Sequence, residues 1–203
     1  MKYLYMLIMS AFTLTVALGQ TPAYQLVLKN DSLVSSTAYE FDIYIQRTDT
    51  DTLELASLEL TQTFDTTISG GTLSYTINSG TSELDPSERP TNSELSIAGN
   101  ELRIAPMPLP GAGSGTLVPL SPGLRVGRLR ISSSVPFANR PPNVAWKNSG
   151  ADPVTQVNAY VGGLNTLISD TTRHLISLTN GSLSPLAMTS TSPRPLATAG
   201  LNY

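Results

Sequence analysis

The chain contains no cysteine, and among its 203 residues there is a single histidine, His174, and a single tryptophan, Trp146. The missing thiols exclude disulfides, thiolate metal sites, a cysteine nucleophile and a lipoprotein anchor together. Charge is also scarce: 13% of residues are Asp, Glu, Lys or Arg, the net charge is −3, and the basic residues are scattered. A nucleic-acid partner would need a basic stripe to neutralise phosphates, so that class is excluded. Helical spacing of Ala, Glu, Lys and Leu is absent beyond the N-terminus. The strand–helix–strand alternation of a nucleotide-binding fold is absent as well. No Gly-x-Ser-x-Gly elbow occurs to serve His174 and the nearby Asp170. Gly111-Ala-Gly-Ser-Gly115 lies in a proline-rich stretch, not between a strand and a helix, so it is neither an elbow nor a phosphate cradle. No catalytic residue is assigned.

What the chain has is period-two alternation, and the longest stretch of it runs over Ala38–Phe64. Tyr39, Phe41, Ile43 and Ile45 alternate with Glu40, Asp42, Tyr44 and Gln46. Past a polar loop, Thr48–Glu54, the apolar positions Ala56, Leu58, Leu60 and Phe64 alternate with Ser57, Glu59, Thr61 and Thr63. Side chains on a strand point alternately to its two faces, so each segment predicts a strand with one apolar face and one wet face. Abundant Ser and Thr, with 15 Gly and 15 Pro, suit many short strands and turns.

The chain divides into three parts. Met1–Gly19 reads as a signal peptide, with Lys2 as its charged start, an apolar core over Tyr3–Val16, and small residues at Ala17-Leu18-Gly19. The apolar run is shorter than the ~20 residues needed to span a bilayer, so no membrane insertion is expected after cleavage. Residues 20–179 are expected to form the folded domain. Its further strands are Tyr24–Lys29, Thr72–Ile77, Leu95–Ile97, Glu101–Ile104, Leu124–Ser132, Val144–Trp146, Val154–Val161 and Leu175–Leu178. Asn30-Asp31-Ser32 reads as a turn, Asn78–Asn92 as a polar surface loop, and Pro106–Pro122 as a long loop without ladder pairing. From 180 to 203 the sequence is mostly Ser, Thr, Pro, Ala and Leu without periodicity, which reads as a flexible linker or tail. The fold class is all-β: an antiparallel β-sandwich of jelly-roll or immunoglobulin-like kind, with about 8–10 strands.

Three stretches carry a family resemblance. Tyr39-Glu-Phe-Asp-Ile-Tyr-Ile-Gln-Arg47 followed by Leu55-Ala-Ser-Leu-Glu-Leu-Thr-Gln-Thr-Phe-Asp65 resembles the early strands of cohesin-like and related carbohydrate-binding-module-like jelly rolls. Gly123-Leu-Arg-Val-Gly-Arg-Leu-Arg-Ile131 resembles their late strand. Trp146 and the run Thr155–Gly162 are similar to N-terminal modules of secreted Bacteroidota-type surface proteins. The resemblance spans Tyr24–Gly163. It implies a non-catalytic extracellular module for binding, adhesion or surface assembly, with a protein or polysaccharide partner at the cell surface. It does not map a dockerin-binding face. The alternatives are a carbohydrate-binding module accessory to a secreted enzyme and, third, a glycoside-active enzyme.

Two groups of residues are candidate sites. Asp49, Asp51 and Glu54 in the loop between the two long strands could chelate calcium, which takes six to eight hard oxygen ligands. The glycine of a calcium loop is missing, and the other reading is a solvated turn. No other cofactor is expected. Tyr44, beside Asp42 on the face read as wet, could stack on a sugar ring while the carboxylate takes its hydroxyls; the other reading is an ordinary strand tyrosine. Arg125, Arg128 and Arg130 do not fall on one face of a regular strand, so Gly127 is expected to mark a bulge. They could bind an anionic polymer; the plainer reading is a charged edge strand.

Overall fold

The structure is a computed structural model that describes residues 21–107, 110–169 and 173–176, the last of these by backbone alone. The expected signal peptide, 1–19, and the expected linker or tail, 180–203, lie outside the described residues, as do Asp170 and the side chain of His174. Twelve strands are described: β1 (Tyr24–Ser35), β2 (Ala38–Arg47), β3 (Leu53–Thr63), β4 (Leu73–Ile77), β5 (Leu95–Ala98), β6 (Glu101–Ile104), β7 (Leu117–Val118), β8 (Leu124–Ser133), β9 (Ala145–Trp146), β10 (Gln156–Val161), β11 (Leu164–Leu167) and β12 (Arg173–Ile176). One sheet runs β12-β1-β2-β8-β4. The other runs β11-β10-β3-β6-β5, with β7 and β9 also pairing to β3. Every pair is antiparallel except β12 with β1.

The two sheets close on one core, as the alternation requires. Tyr39, Phe41, Ile43 and Ile45 of β2 are buried beside Leu129 and Ile131 of β8. Leu55, Leu58 and Leu60 of β3 are buried beside Leu102, Ile104, Val157 and Ala159 of the second sheet. Trp146 is also buried. The fold is therefore the antiparallel β-sandwich that the period-two pattern predicts.

The pairing departs from the sequence reading in several places. β2 and β3 are not partners. They lie in different sheets, so residues 48–52 form a crossing between layers rather than a hairpin loop. Asn30-Asp31-Ser32 is a bulge inside β1, not a turn. Asn30 takes φ 56°, the pairing with β2 slips between Lys29 and Ser32, and Asp31 accepts the Tyr39 hydroxyl at 3.0 Å. The Asn78–Asn92 stretch contains one 3-10 turn, Pro86–Glu88, leads into a second, Asn92–Glu94, and buries Leu84, Glu88 and Pro90. The loop after Pro106 carries the short pair β7.

Gly162-Gly163 ends β10 and also starts a hairpin. Both residues have positive φ (58° and 81°) and turn β10 into β11 as a two-residue hairpin, the geometry that glycine pairs favour. The Ala98-Gly99-Asn100 hairpin between β5 and β6 forms as expected. Of the strand expected over Leu175–Leu178, Leu175 and Ile176 lie in β12, which starts at Arg173, and the other two residues fall outside the described residues.

The expected bulge at Gly127 is present. Ile43 pairs with Gly127 and Tyr44 with Arg125, so Val126 is the extra residue. The bulge also corrects the expectation for the arginines. Arg125, Arg128 and Arg130 pair with Tyr44, Asp42 and Glu40, and all three therefore point outward. β8 is not an edge, since β2 and β4 flank it.

Candidate functional site

The sandwich has two outer faces, and they differ in how far their polar groups are satisfied internally. On the first sheet, β2 presents Glu40, Asp42 and Tyr44, and β8 presents the three arginines. This face is not wet where the acids stand: Glu40 is 5% exposed and Asp42 is 3% exposed. The reason is cross-strand pairing. Arg128 donates from Nε to Glu40 Oε2 at 2.5 Å and from Nη1 to Asp42 Oδ1 at 3.1 Å. Its remaining bonds reach Asn30 O at 3.3 Å and Ser32 Oγ at 3.1 Å. Arg130 pairs with the other Glu40 oxygen, Asn78 Nδ2 donates to that oxygen at 3.0 Å, and Asn30 Nδ2 donates to Asp42 at 2.8 Å. Burial opposes ionisation of Glu40, but the hydrogen bonds from Asn78, Arg128 and Arg130 outweigh it and lower the pKa to about 2. Asp42 is thus engaged in ion pairs. Lys29 Nζ lies 3.5 Å from the Tyr44 ring centroid, a cation–π contact on one face of that ring.

The second sheet's outer face is different. Register places Ser57 beside Asn158, Asn158 beside Leu167, Glu59 beside Gln156, and Tyr160 beside Asn165. Further across the sheet, Arg103 stands between Thr61 and Ser96. Ser57, Glu59, Gln156 and Asn158 are half-buried, and among the described residues their side chains make no hydrogen bond. Burial raises the Glu59 pKa, as does the charge of Asp152, and Arg103 partly offsets both. At one end Glu101 joins Arg103 and Lys147 in ion pairs. At the other, the glycine loop is pinned across the sheet: Gly111 N donates to Tyr160 Oη at 2.8 Å, and Gly113 N and Gly115 N donate to Glu54 Oε1 at 2.5 and 3.1 Å.

Of the three residues considered for calcium, two commit a carboxylate elsewhere and the third bonds through its backbone. Glu54 holds the glycine loop. Asp49 Oδ2 accepts Ala23 N at 2.6 Å, and Asp51 gives its backbone carbonyl to Arg47 at 2.9 Å. Among the described residues no three His, Cys, Asp or Glu groups gather where they could hold a metal ion. No helix there is long and apolar enough to cross a membrane.

One acid that sequence reasoning left in a surface loop is fully enclosed. Glu88 is 1% exposed, its Oε2 accepts Thr116 N at 2.6 Å and also the Thr116 hydroxyl, and its Oε1 is buried without a partner among the described residues. Burial raises its pKa against the Thr116 bonds, and the charges of Asp85 and Glu54 add to the rise. A raised carboxylate pKa supplies stability that is complete below the unfolded value and is lost as pH rises through the folded value. Glu88→Gln should remove that loss. Its urea midpoint, relative to the unsubstituted protein, should rise between pH 4.5 and pH 7; a constant difference between the midpoints would refute the assignment. The signal in the sequence was Leu84 and Pro90 bracketing Glu88, which shows that this stretch has something to bury.

The fold and its two unlike faces define a two-layer antiparallel β-sandwich. No protein-family model matches the chain, and no curated protein matches it. Among solved structures it is similar to the second type II cohesin module from the adaptor ScaA scaffoldin of Acetivibrio cellulolyticus, with TM-score 0.46 and 8% identity over 78% of this chain and 88% of that one. It is also similar to the seventh ScaB type I cohesin from Pseudobacteroides cellulosolvens, at 0.43 and 8% over 76% and 88%. A cohesin module from a Clostridium perfringens family 33 glycoside hydrolase gives 0.37 and 14% over 76% and 99%.

Proposed function

We propose that the protein is a secreted, non-catalytic binding module that joins a protein partner at the cell surface through the outer face of its second sheet. Residues 1–19 direct export, residues 20–179 bind, and residues 180–203 act as a linker. The observation that carries this reading is the contrast between the two faces. A docking surface must offer hydrogen-bonding capacity that the fold has not already used. The Glu40–Asp42–Arg128–Arg130 face has used most of its own, whereas Ser57, Glu59, Gln156 and Asn158 have not. The second face also carries an aromatic, Tyr160, and a half-exposed leucine, Leu167, beside these polar groups.

The test is capture of secreted proteins on the immobilised domain, with Ser57→Arg and Asn158→Arg combined. Retention of the captured partner should fall by about tenfold or more and should be unchanged by Tyr44→Ala. Retention that ignores the double substitution, or turnover of any glycoside by the purified domain, would overturn the reading.

A further inference from the structure

Beside the end of β4, the 78–92 stretch encloses a half-open pocket of about 440 Å³. That volume lies within the roughly 300–1,000 Å³ typical of small-ligand sites. The pocket is no accident of a slack loop. Arg125 Nε donates to Thr81 O at 2.6 Å, Arg125 N to Glu83 Oε2 at 2.6 Å, and Arg128 N to Thr81 Oγ1 at 3.0 Å, so one wall is strapped to β8. The opposite wall is held by Asn92 Oδ1, which accepts Ile77 N at 2.8 Å.

The lining has a definite chemistry. Arg89 is its only charged residue, and no carboxylate lines it. Arg89 Nε donates to Leu84 O at 2.7 Å, which fixes the guanidinium across the Pro86–Glu88 turn. The two Nη groups make no hydrogen bond or ion pair among the described residues. A guanidinium held by Nε with its outer nitrogens open suits a carboxylate, which can accept two parallel bonds. Around it, the Ser79 and Ser82 hydroxyls, Asn78 Oδ1 and Asn92 Nδ2 supply polar groups with bonding capacity left, while Asn78 Nδ2 and Thr91 Oγ1 are committed to Glu40 and Glu94, and Pro86 and Pro90 supply apolar ring faces. Hydroxyl and amide partners together with an apolar ring face fit a hydroxylated ring better than an extended aliphatic acid.

We propose that this pocket binds a carboxylated sugar, the uronate unit of an acidic polysaccharide. The site uses none of the residues of the protein-binding face and stands or falls separately from it. Calorimetric titration with digalacturonate should show binding that weakens as salt is added, while the neutral digalactose binds at least about tenfold more weakly. Arg89→Gln should lower digalacturonate affinity by about tenfold or more, and Arg89→Lys should lower it less. Ser79→Tyr, which fills the pocket from its exposed rim and leaves the Arg89–Leu84 bond intact, should abolish binding without moving the melting midpoint. Absence of binding at millimolar digalacturonate, equal binding of the neutral disaccharide, or affinity untouched by either Arg89→Gln or Ser79→Tyr would overturn the proposal. An oligo-aspartate peptide bound as tightly as digalacturonate would overturn the sugar assignment.

Discussion

Arg128→Ala is expected to cost about 3–5 kcal/mol of folding stability, far more than a half-buried surface arginine ordinarily would. The reason is what the substitution leaves behind. Arg128 is 22% exposed in its side chain and bonds both Glu40 and Asp42, which are nearly closed to water. Without it, Asp42 keeps only the Asn30 amide, and Glu40 keeps Arg130 and Asn78. A carboxylate stripped of its ion-pair partner in such a place must stay charged at a desolvation penalty or take up a proton. Urea unfolding at neutral pH measures the loss. Replacing Arg128, Glu40 and Asp42 together with apolar residues of similar size should recover much of it, because the one charge left without its partner, Arg130, is 42% exposed in its side chain and can turn to water.

The pH dependence follows with a definite sign. A carboxylate whose folded pKa is depressed contributes stability above its unfolded value and loses it as pH falls through the folded value. For Glu40 that window runs from 4.5 down to about 2. The unsubstituted protein should weaken across it, and Arg128→Ala should flatten the slope. A loss under about 1 kcal/mol, in the range of exposed pairs, would mean that water reaches these acids.

Phe41→Ala should be comparably severe, at about 3–5 kcal/mol. Phe41 is fully enclosed on β2. Its ring lies 6.0 Å from that of Tyr39 and 6.5 Å from that of Tyr75, nearly parallel to the latter. Truncation removes apolar contact and opens a cavity that strands from both layers surround, so little can collapse into it. Phe41→Leu keeps much of the volume and should stay within about 1.5 kcal/mol. Thermal and urea midpoints of the two variants separate lost volume from lost aromaticity. Equal, small losses in both would mean that the ring does not fill the interior.

These two residues also mark how far the sequence can be read. Phe41 and its neighbours announce their burial by strict alternation, and so do Leu58 and Leu60. The same alternation says nothing about which strand lies alongside. Residues 48–52 are as short as a hairpin loop, yet they carry the chain from one layer to the other. Glu40 and Asp42 looked solvated because their partners stand on β8, more than eighty residues away, and pairing of that kind leaves no local mark. Gly127 could be read, since three arginines out of phase require an extra residue. Gly162-Gly163 carried the signal of a hairpin, but the four-residue strand after it is too short for its periodicity to register. The pocket beside β4 was hidden for a similar reason. Its walls come from a stretch with no periodicity, and bonds to Arg125 and Arg128 on a distant strand give it shape.

The pairing of β12 with β1 bears on how the domain would carry a load. The strands run side by side in the same direction, with Tyr24 next to Arg173 and Val27 next to Ile176. Tension applied before Tyr24 and after Ile176 therefore slides one strand lengthwise along the other. The bonds between them must yield together instead of opening one after another from an end, and that geometry favours slow rupture of the link.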